Sequence, residues 1–149
     1  MADVTEVRDH PRLQAIRLHW ESAHATLTGR LVDGLQLAQR SYDIHRSLGS
    51  PDALVFSVGL RYMSAWHTDR LDTIIDDLTT CCEAVRRIGM RAGLAFALAA
   101  TNDVDGAIAT LETIDLRLFD EPIAHQDQLS TLALVALTAE RLDLSLIHI

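Results

Sequence analysis

Aromatic residues are scarce in this chain, 5% of 149 positions, so stacked rings cannot fill its interior. Hydrophobic residues nevertheless reach 48%. The core must come from Leu, Ala, Val and Ile, side chains that suit closely packed helices, with Ala letting two backbones approach. Positive charge is short as well: 13 basic residues stand against 21 acidic ones, for a net charge of −8. Nucleic-acid affinity comes mainly from clustered cations facing phosphates, so no direct nucleic-acid partner is expected. No apolar run approaches the roughly 18–20 residues that cross a bilayer. The stretch 93–100 is stopped by Thr101-Asn102-Asp103, and no membrane partner is expected. The opening residues lack a basic segment followed by an apolar core, which predicts a cytoplasmic protein. The two cysteines, Cys81 and Cys82, are adjacent and make neither a disulfide framework nor a C-x-x-C metal knuckle. The signatures G-x-x-x-x-G-K-[ST], G-x-S-x-G and H-E-x-x-H are missing. No cofactor, no metal and no enzymatic activity are therefore expected.

What the chain does contain is a recurring turn. Gly29-Arg30-Leu31-Val32-Asp33, Asp69-Arg70-Leu71-Asp72, Asn102-Asp103-Val104-Asp105 and Arg141-Leu142-Asp143 each break a helical run and restart it on an apolar residue near an aspartate. Leu31, Leu71, Val104 and Leu142 lie 40, 33 and 38 positions apart, close to one helix-turn-helix unit of an α-solenoid. Strand alternation is sustained nowhere, which predicts an all-α fold of about seven helices. Turns this short make consecutive helices antiparallel neighbours. A four-helix bundle is the rival architecture, but the recurring turn favours stacked pairs.

Residues 1–11 read as a polar leader, 12–143 as a helical-repeat domain and 144–149 as a non-native tail. Hairpins are expected over about 12–48, 53–88, 91–116 and 127–143, the last truncated. In the first, Pro11 opens a helix patterned by Leu13, Ile16, Leu18, Trp20, Ala23 and Leu27, and Leu31, Leu35, Ala38 and Tyr42 pattern its partner. In the second, Leu71, Ile74, Ile75, Leu78, Val85 and Ile88 make the expected buried stripe, with Arg86 and Arg87 in the last turn and Gly89 as the stop. Val104, Ala107, Ile108 and Leu111 are expected to face inward in the third, behind Asp103 as N-cap. The fourth carries Leu129, Leu132, Ala133 and Ala136.

The turns, with small residues at set distances around them, resemble the tetratricopeptide repeat. Ala95 and Ala133 sit where that family's first helix takes a small residue, Ala107 sits at the matching place in a second helix, and Leu94 and Leu132 precede the first two. Ser22, Tyr62, Gly34 and Ile74 hold those places in the first two units. The run of turns and the Ala-rich segment 92–100 are also similar to the helical-repeat regions of large bacterial signalling regulators. In these a P-loop ATPase module is joined to repeats and to a class III nucleotide cyclase or a LuxR-type DNA-binding domain. The resemblance implies a tetratricopeptide-like α-solenoid and a fragment of a larger regulator. Residues 144–149, resembling a translated adapter tail, point the same way.

Glu21 and His24 share one helical face, as in di-iron bundles, but no second copy of the pair exists and a solvent-facing pair is the simpler reading. Asp76 and Asp77 diverge on a helix, and Cys81 and Cys82 suit a core or half-buried position. The aromatics point to binding. The resemblance implies that first helices line a concave groove, and Trp20, Tyr62 and Trp66 fall on first helices with His19 and Arg61 beside them. Such a groove would hold a peptide or protein partner, or flanking domains of the same polypeptide. The competing reading packs these rings between helices. The expected function is a non-enzymatic interaction or signal-sensing scaffold. Two alternatives stay open: a small helical ligand-binding domain or enzyme with an interhelical pocket using His19, His24 or His67, and a homo-oligomer associating through an uncapped C-terminal end.

Overall fold

The computed structural model describes residues 10–50, 53–85, 88–115 and 127–143. Among them the chain is all-helical, without a strand: α1 (Pro11–Leu27), α2 (Leu31–Ser47), α3 (Ala53–His67), a 3-10 turn (Leu71–Ile74), α4 (Ile75–Ala84), α5 (Ile88–Ala100), α6 (Val104–Glu112) and α7 (Asp127–Arg141). Most of the expected leader, Pro51, Asp52, Arg86, Arg87, the interval 116–126, the side chain of Leu129 and the expected tail lie outside the described residues.

Helix boundaries follow local chemistry. The His10 side chain accepts from the Arg12 amide at 3.3 Å, and Pro11, whose missing N–H costs nothing in a first turn, opens α1. Asp103 caps α6 as expected, its carboxylate accepting from the Gly106 amide at 3.0 Å. Three of the four expected turns share one geometry. Gly29, Asp69 and Asn102 adopt left-handed backbone, with φ of 79°, 55° and 66°. The next amide reaches back five residues in each case: Arg30 to the Ala25 carbonyl at 2.8 Å, Arg70 to Ala65 at 2.8 Å and Asp103 to Leu98 at 2.9 Å. This closes the helix as a Schellman motif. The preceding threonine then takes a further carbonyl: Thr28 donates to His24 at 2.8 Å, Thr68 to Ser64 at 2.8 Å and Thr101 to Ala97 at 3.0 Å. The repeat is therefore a threonine, a left-handed residue, a polar residue and an apolar one. The fourth expected copy is out of register, because its left-handed residue is Asp143 and Leu142 precedes it.

Three expected boundaries are corrected. The run from Leu71 begins as a 3-10 turn, and α4 stops at Ala84 because Val85 is extended, with φ −132° and ψ 128°. Gly89 lies within the first turn of α5 and does not stop a helix. Helix α6 ends at Glu112, short of 116.

The chain divides into two compact units, Met1–Arg70 and Leu71–Ile149, so the hairpin expected over 53–88 has its helices in different units. In the first unit α1 packs along α2, and α3 packs on α2 and also touches α1. Small residues, with Leu18 among them, make the α1–α2 seam. Ala15, Leu18, Ser22 and Ala25 are buried on one side, and Gly34, Ala38, Ser41 and His45 on the other. Ser22 Oγ donates to the Gly34 carbonyl at 2.7 Å and Ser41 Oγ to the Ala15 carbonyl at 2.8 Å, which sets the antiparallel register. A Cβ on Gly34 would come 2.5 Å from Thr26 Oγ1 and 3.3 Å from the Ser22 carbonyl, so the backbones meet where only glycine fits. The expected seam is corrected in part: Leu18 and Ala38 are buried and Ala23, Leu31 and Tyr42 half-buried, but Leu13, Ile16, Trp20, Leu27 and Leu35 are exposed. Close approach of two backbones rewards small side chains and hydroxyls that can reach a facing carbonyl, and every large apolar residue of α1 but Leu18 is turned outward.

In the second unit α5 is central, contacting α4, α6 and α7. Its alanines Ala92 and Ala95 pack with Leu111, Ile114 and Val135, and Ile88, Leu134 and Leu142 lie against them. Ala95 and Ala107 are fully buried, as expected of small residues at those places. Ala133 is exposed, as are Leu132 and Ala136, so α7 buries a different face, formed by Thr131, Val135, Thr138 and Ala139. Thr138 tolerates burial because its hydroxyl donates to the Leu134 carbonyl at 2.6 Å. Leu71, Ile74 and Leu78 of the expected stripe are buried, whereas Ile75, Val85 and Ile88 are half-buried and Val104 is exposed. Two arginines close helix ends. Arg141 Nε donates to the Ala99 carbonyl at 3.2 Å, and Arg91 Nη1 to the Thr113 carbonyl at 3.2 Å. Each puts positive charge at the carbonyl end of a helix, where the macrodipole favours it.

Candidate functional site

Because small side chains occupy the α1–α2 seam, the large apolar residues of α1 collect on another side. Leu13, Ile16, Trp20 and Leu27 are 44%, 46%, 70% and 78% exposed. On α3 the spacing repeats: Phe56, Met63 and Trp66 are exposed, with Gly59 between the first two. Among the described residues nothing lies within 4 Å of the place a Gly59 Cβ would take, so none of them requires a glycine there.

His19 links the two helices. Its ring stands edge-on to Trp20 at 6.3 Å and 89°, and edge-on to Phe56 at 5.4 Å and 74°. Phe56 then meets His45 of α2 at 5.5 Å and 31°. The two edge-to-face contacts of His19 hold the rings in fixed orientation at about 0.5–1.5 kcal/mol each. Burial lowers the His19 pKa from its ordinary value, and the neighbouring His45 lowers it further. His19 Nδ1 is buried without a hydrogen-bond partner among the described residues, which suits a neutral ring.

The second aromatic pair is Tyr62 and Trp66, edge-on at 6.0 Å and 77°. Tyr62 is buried, and burial pushes its phenol well above its ordinary pKa. Its ring therefore backs Trp66 and does not line a surface, which corrects the sequence expectation. Arg61, beside it, is half-buried. Of the five expected residues, the structure joins His19 to Trp20 and Tyr62 to Trp66. It adds Phe56, Met63 and His45, which sequence reading missed. The spacing of Phe56, Gly59 and Met63, equal to that of Leu13, Ile16 and Trp20, is the signal that could have found Phe56 and Met63.

At one end of the first hairpin, Arg12, Ile16, His45, Leu48, Gly49 and Ser50 line a half-open groove of about 320 Å³. Gly49 is left-handed, φ 65°, and the Ser50 amide donates to the His45 carbonyl at 3.0 Å, so the turn itself forms one wall.

Cys81 is buried and Cys82 half-buried, and neither forms a disulfide. Burial raises both thiols, Cys81 to about 11. Among the described residues no group of three or more His, Cys, Asp or Glu side chains is placed to hold a metal ion. No described helix is long and apolar enough to cross a membrane. No protein-family model, no curated protein and no solved structure matches the chain.

Proposed function

We propose that this chain is a non-enzymatic helical scaffold that binds a peptide or protein partner through the apolar face of α1 and α3, as a segment of a bacterial signalling regulator with a tetratricopeptide-like stacked architecture. The observation that carries the reading is the placement of Ile16, Trp20, Phe56, Met63 and Trp66 outside, on helices whose buried sides are built largely from small residues. Contiguous exposed apolar surface of this kind marks interaction sites, and Trp is favoured among the few residues that dominate binding energy. The shared turn at Thr28-Gly29, Thr68-Asp69 and Thr101-Asn102 is in keeping with a repeat origin, since each adds to a common cap a threonine hydroxyl donated to the carbonyl four residues back. The test is selection of binding peptides from a displayed library, followed by titration of Trp20→Ala and Phe56→Ala. Loss of about tenfold or more in affinity with an unchanged melting temperature is expected. Wild-type isotherms from both variants would remove the face from consideration.

The groove at Arg12 and His45 favours a second reading, a small-ligand domain. Its apolar wall with one guanidinium and one imidazole suits a small anion carrying an apolar group. A shift of several degrees in melting temperature with such a compound, abolished by Arg12→Ala, would favour it.

A further inference from the structure

The exposed residues of α1 form a regular seam. Leu13, Ile16, Trp20, Ala23 and Leu27 follow one another at steps of three and four, the a and d positions of a heptad, and all but the half-buried Ala23 are exposed. The side buried against α2 carries Ala15, Leu18, Ser22 and Ala25 at the same steps, two residues out of phase. A two-residue offset is about 200° around a helix, so α1 has two packing sides, and α2 covers the inner one.

The flanks of the outer seam carry one guanidinium on each side and no carboxylate. The positions that border an a/d seam, e and g, are held here by Arg12, Arg17, His19 and His24, with Thr26 the fifth. Glu21, the acidic residue of α1, lies a step further round and pairs with Arg17 at 3.4 Å, both side chains about half exposed. In helix–helix docking, charges at e and g choose the partner.

We propose that the outer seam of α1 docks an amphipathic helix from a protein partner whose own apolar seam is bordered by Glu or Asp. This rests on the reading of α1 and α3 as an interaction face and specifies the occupant of its α1 half. Charge complementarity selects it. A basic helix would set a cation against Arg12 on one border and Arg17 on the other, and so would a second copy of α1, while carboxylates would meet Arg12 and Arg17 and share the Arg17–Glu21 pair. Trp20, at the centre of the seam and the most exposed ring on it, is the anchor.

The test uses the full chain and two labelled synthetic helical peptides with Leu at every a and d position, one carrying Glu at e and g and the other Lys. Like charges keep each peptide from pairing with itself. Fluorescence anisotropy is expected to show the Glu peptide binding about tenfold or more tighter than the Lys peptide, with the difference shrinking as salt rises. Trp20→Ala should weaken the Glu peptide, and Arg12→Glu with Arg17→Glu should reverse the preference while leaving the melting temperature near that of the parent. Equal binding of both peptides, lost in Trp20→Ala, would overturn the acidic-partner assignment and leave the interaction face standing. Binding of neither would overturn helix docking on α1, while the library selection tests the wider face separately. Dimerisation that rises with concentration and vanishes in Trp20→Ala would overturn the proposal in favour of a second copy.

Discussion

The hydroxyl of Ser22 donates to the carbonyl of Gly34 at 2.7 Å, joining the middle of α1 to the first turns of α2. Ser41 answers it by donating to Ala15 at 2.8 Å, seven residues along each helix. Two such bonds, two turns apart, hold the first hairpin in one register. The Gly34 carbonyl keeps its place in the helix ladder without Ser22, so Ser22→Ala removes a bond but orphans little. A cost of about 0.5–1 kcal/mol is expected, with Ser22→Ala/Ser41→Ala costing close to the sum because the bonds lie ~10 Å apart. Urea denaturation checks both figures.

Gly34→Ala is expected to destabilise despite the better helix propensity of alanine. The new methyl would sit 2.5 Å from Thr26 Oγ1 and 3.3 Å from the Ser22 backbone, a clash worth about 1–3 kcal/mol against a propensity gain of ~1 kcal/mol. Thr26→Ala in the same chain removes the nearer atom. The double variant should therefore lose less than the two single losses combined, measured by chemical denaturation.

Gly59→Ala is expected to do the opposite. With open space around its Cβ, the substitution should raise stability by about 0.5–1 kcal/mol, read as a higher melting temperature. Because Gly59 sits between Phe56 and Met63, any peptide selected for that face should bind the stabilised variant more weakly.

Acidification should destabilise the first unit through His19. Its pKa in the fold lies below the ordinary 6.5, because burial and then His45 disfavour the charged ring. The unfolded chain thus binds the proton more readily. The contribution is fully present above pH ~6.5 and is lost as pH falls from there towards the lowered value. Denaturation curves between pH 7.5 and 5 for the parent and His19→Gln check this, the variant showing the smaller decline.

The cysteines should be slow to react in the folded protein. With Cys81 buried and its thiol raised to about 11, and Cys82 raised by burial as well, little thiolate exists near neutrality. Labelling with a thiol reagent at pH 8 is expected to be slow in buffer and rapid at both residues in denaturant. Rapid labelling of Cys81 in buffer would show that the α4 environment opens.

Much of the helical layout was legible from the residues in order. Pro11, Gly29, Gly49 and Asp103 mark where helices start or stop, and each does so through its own backbone and nearest neighbours. Gly89 misled, because a glycine signals a break only when the chain needs a left-handed residue there, and in the first turn of α5 it needs none. The candidate site was legible in part. Trp20 and His19 stand together, but Tyr62 turned inward and Phe56, four residues into α3, took the place opposite His19. Which ring meets which depends on how α3 rests against α1, and no local pattern contains that.

The order of residues by itself determined that this protein is built of helices, and where most of them end, because caps, proline and left-handed turns act over a few residues. Only tertiary structure decided which side of each helix is buried. On α1 and α7 both sides are apolar enough to pack, so periodicity is ambiguous. The choice fell to the sides where Gly34 lets backbones close, where Ser22 and Ser41 reach a facing carbonyl, and where Thr138 satisfies itself within its own helix. Bulk went outward because a close seam has no room for it, and the outward bulk is the surface on which function is proposed to rest.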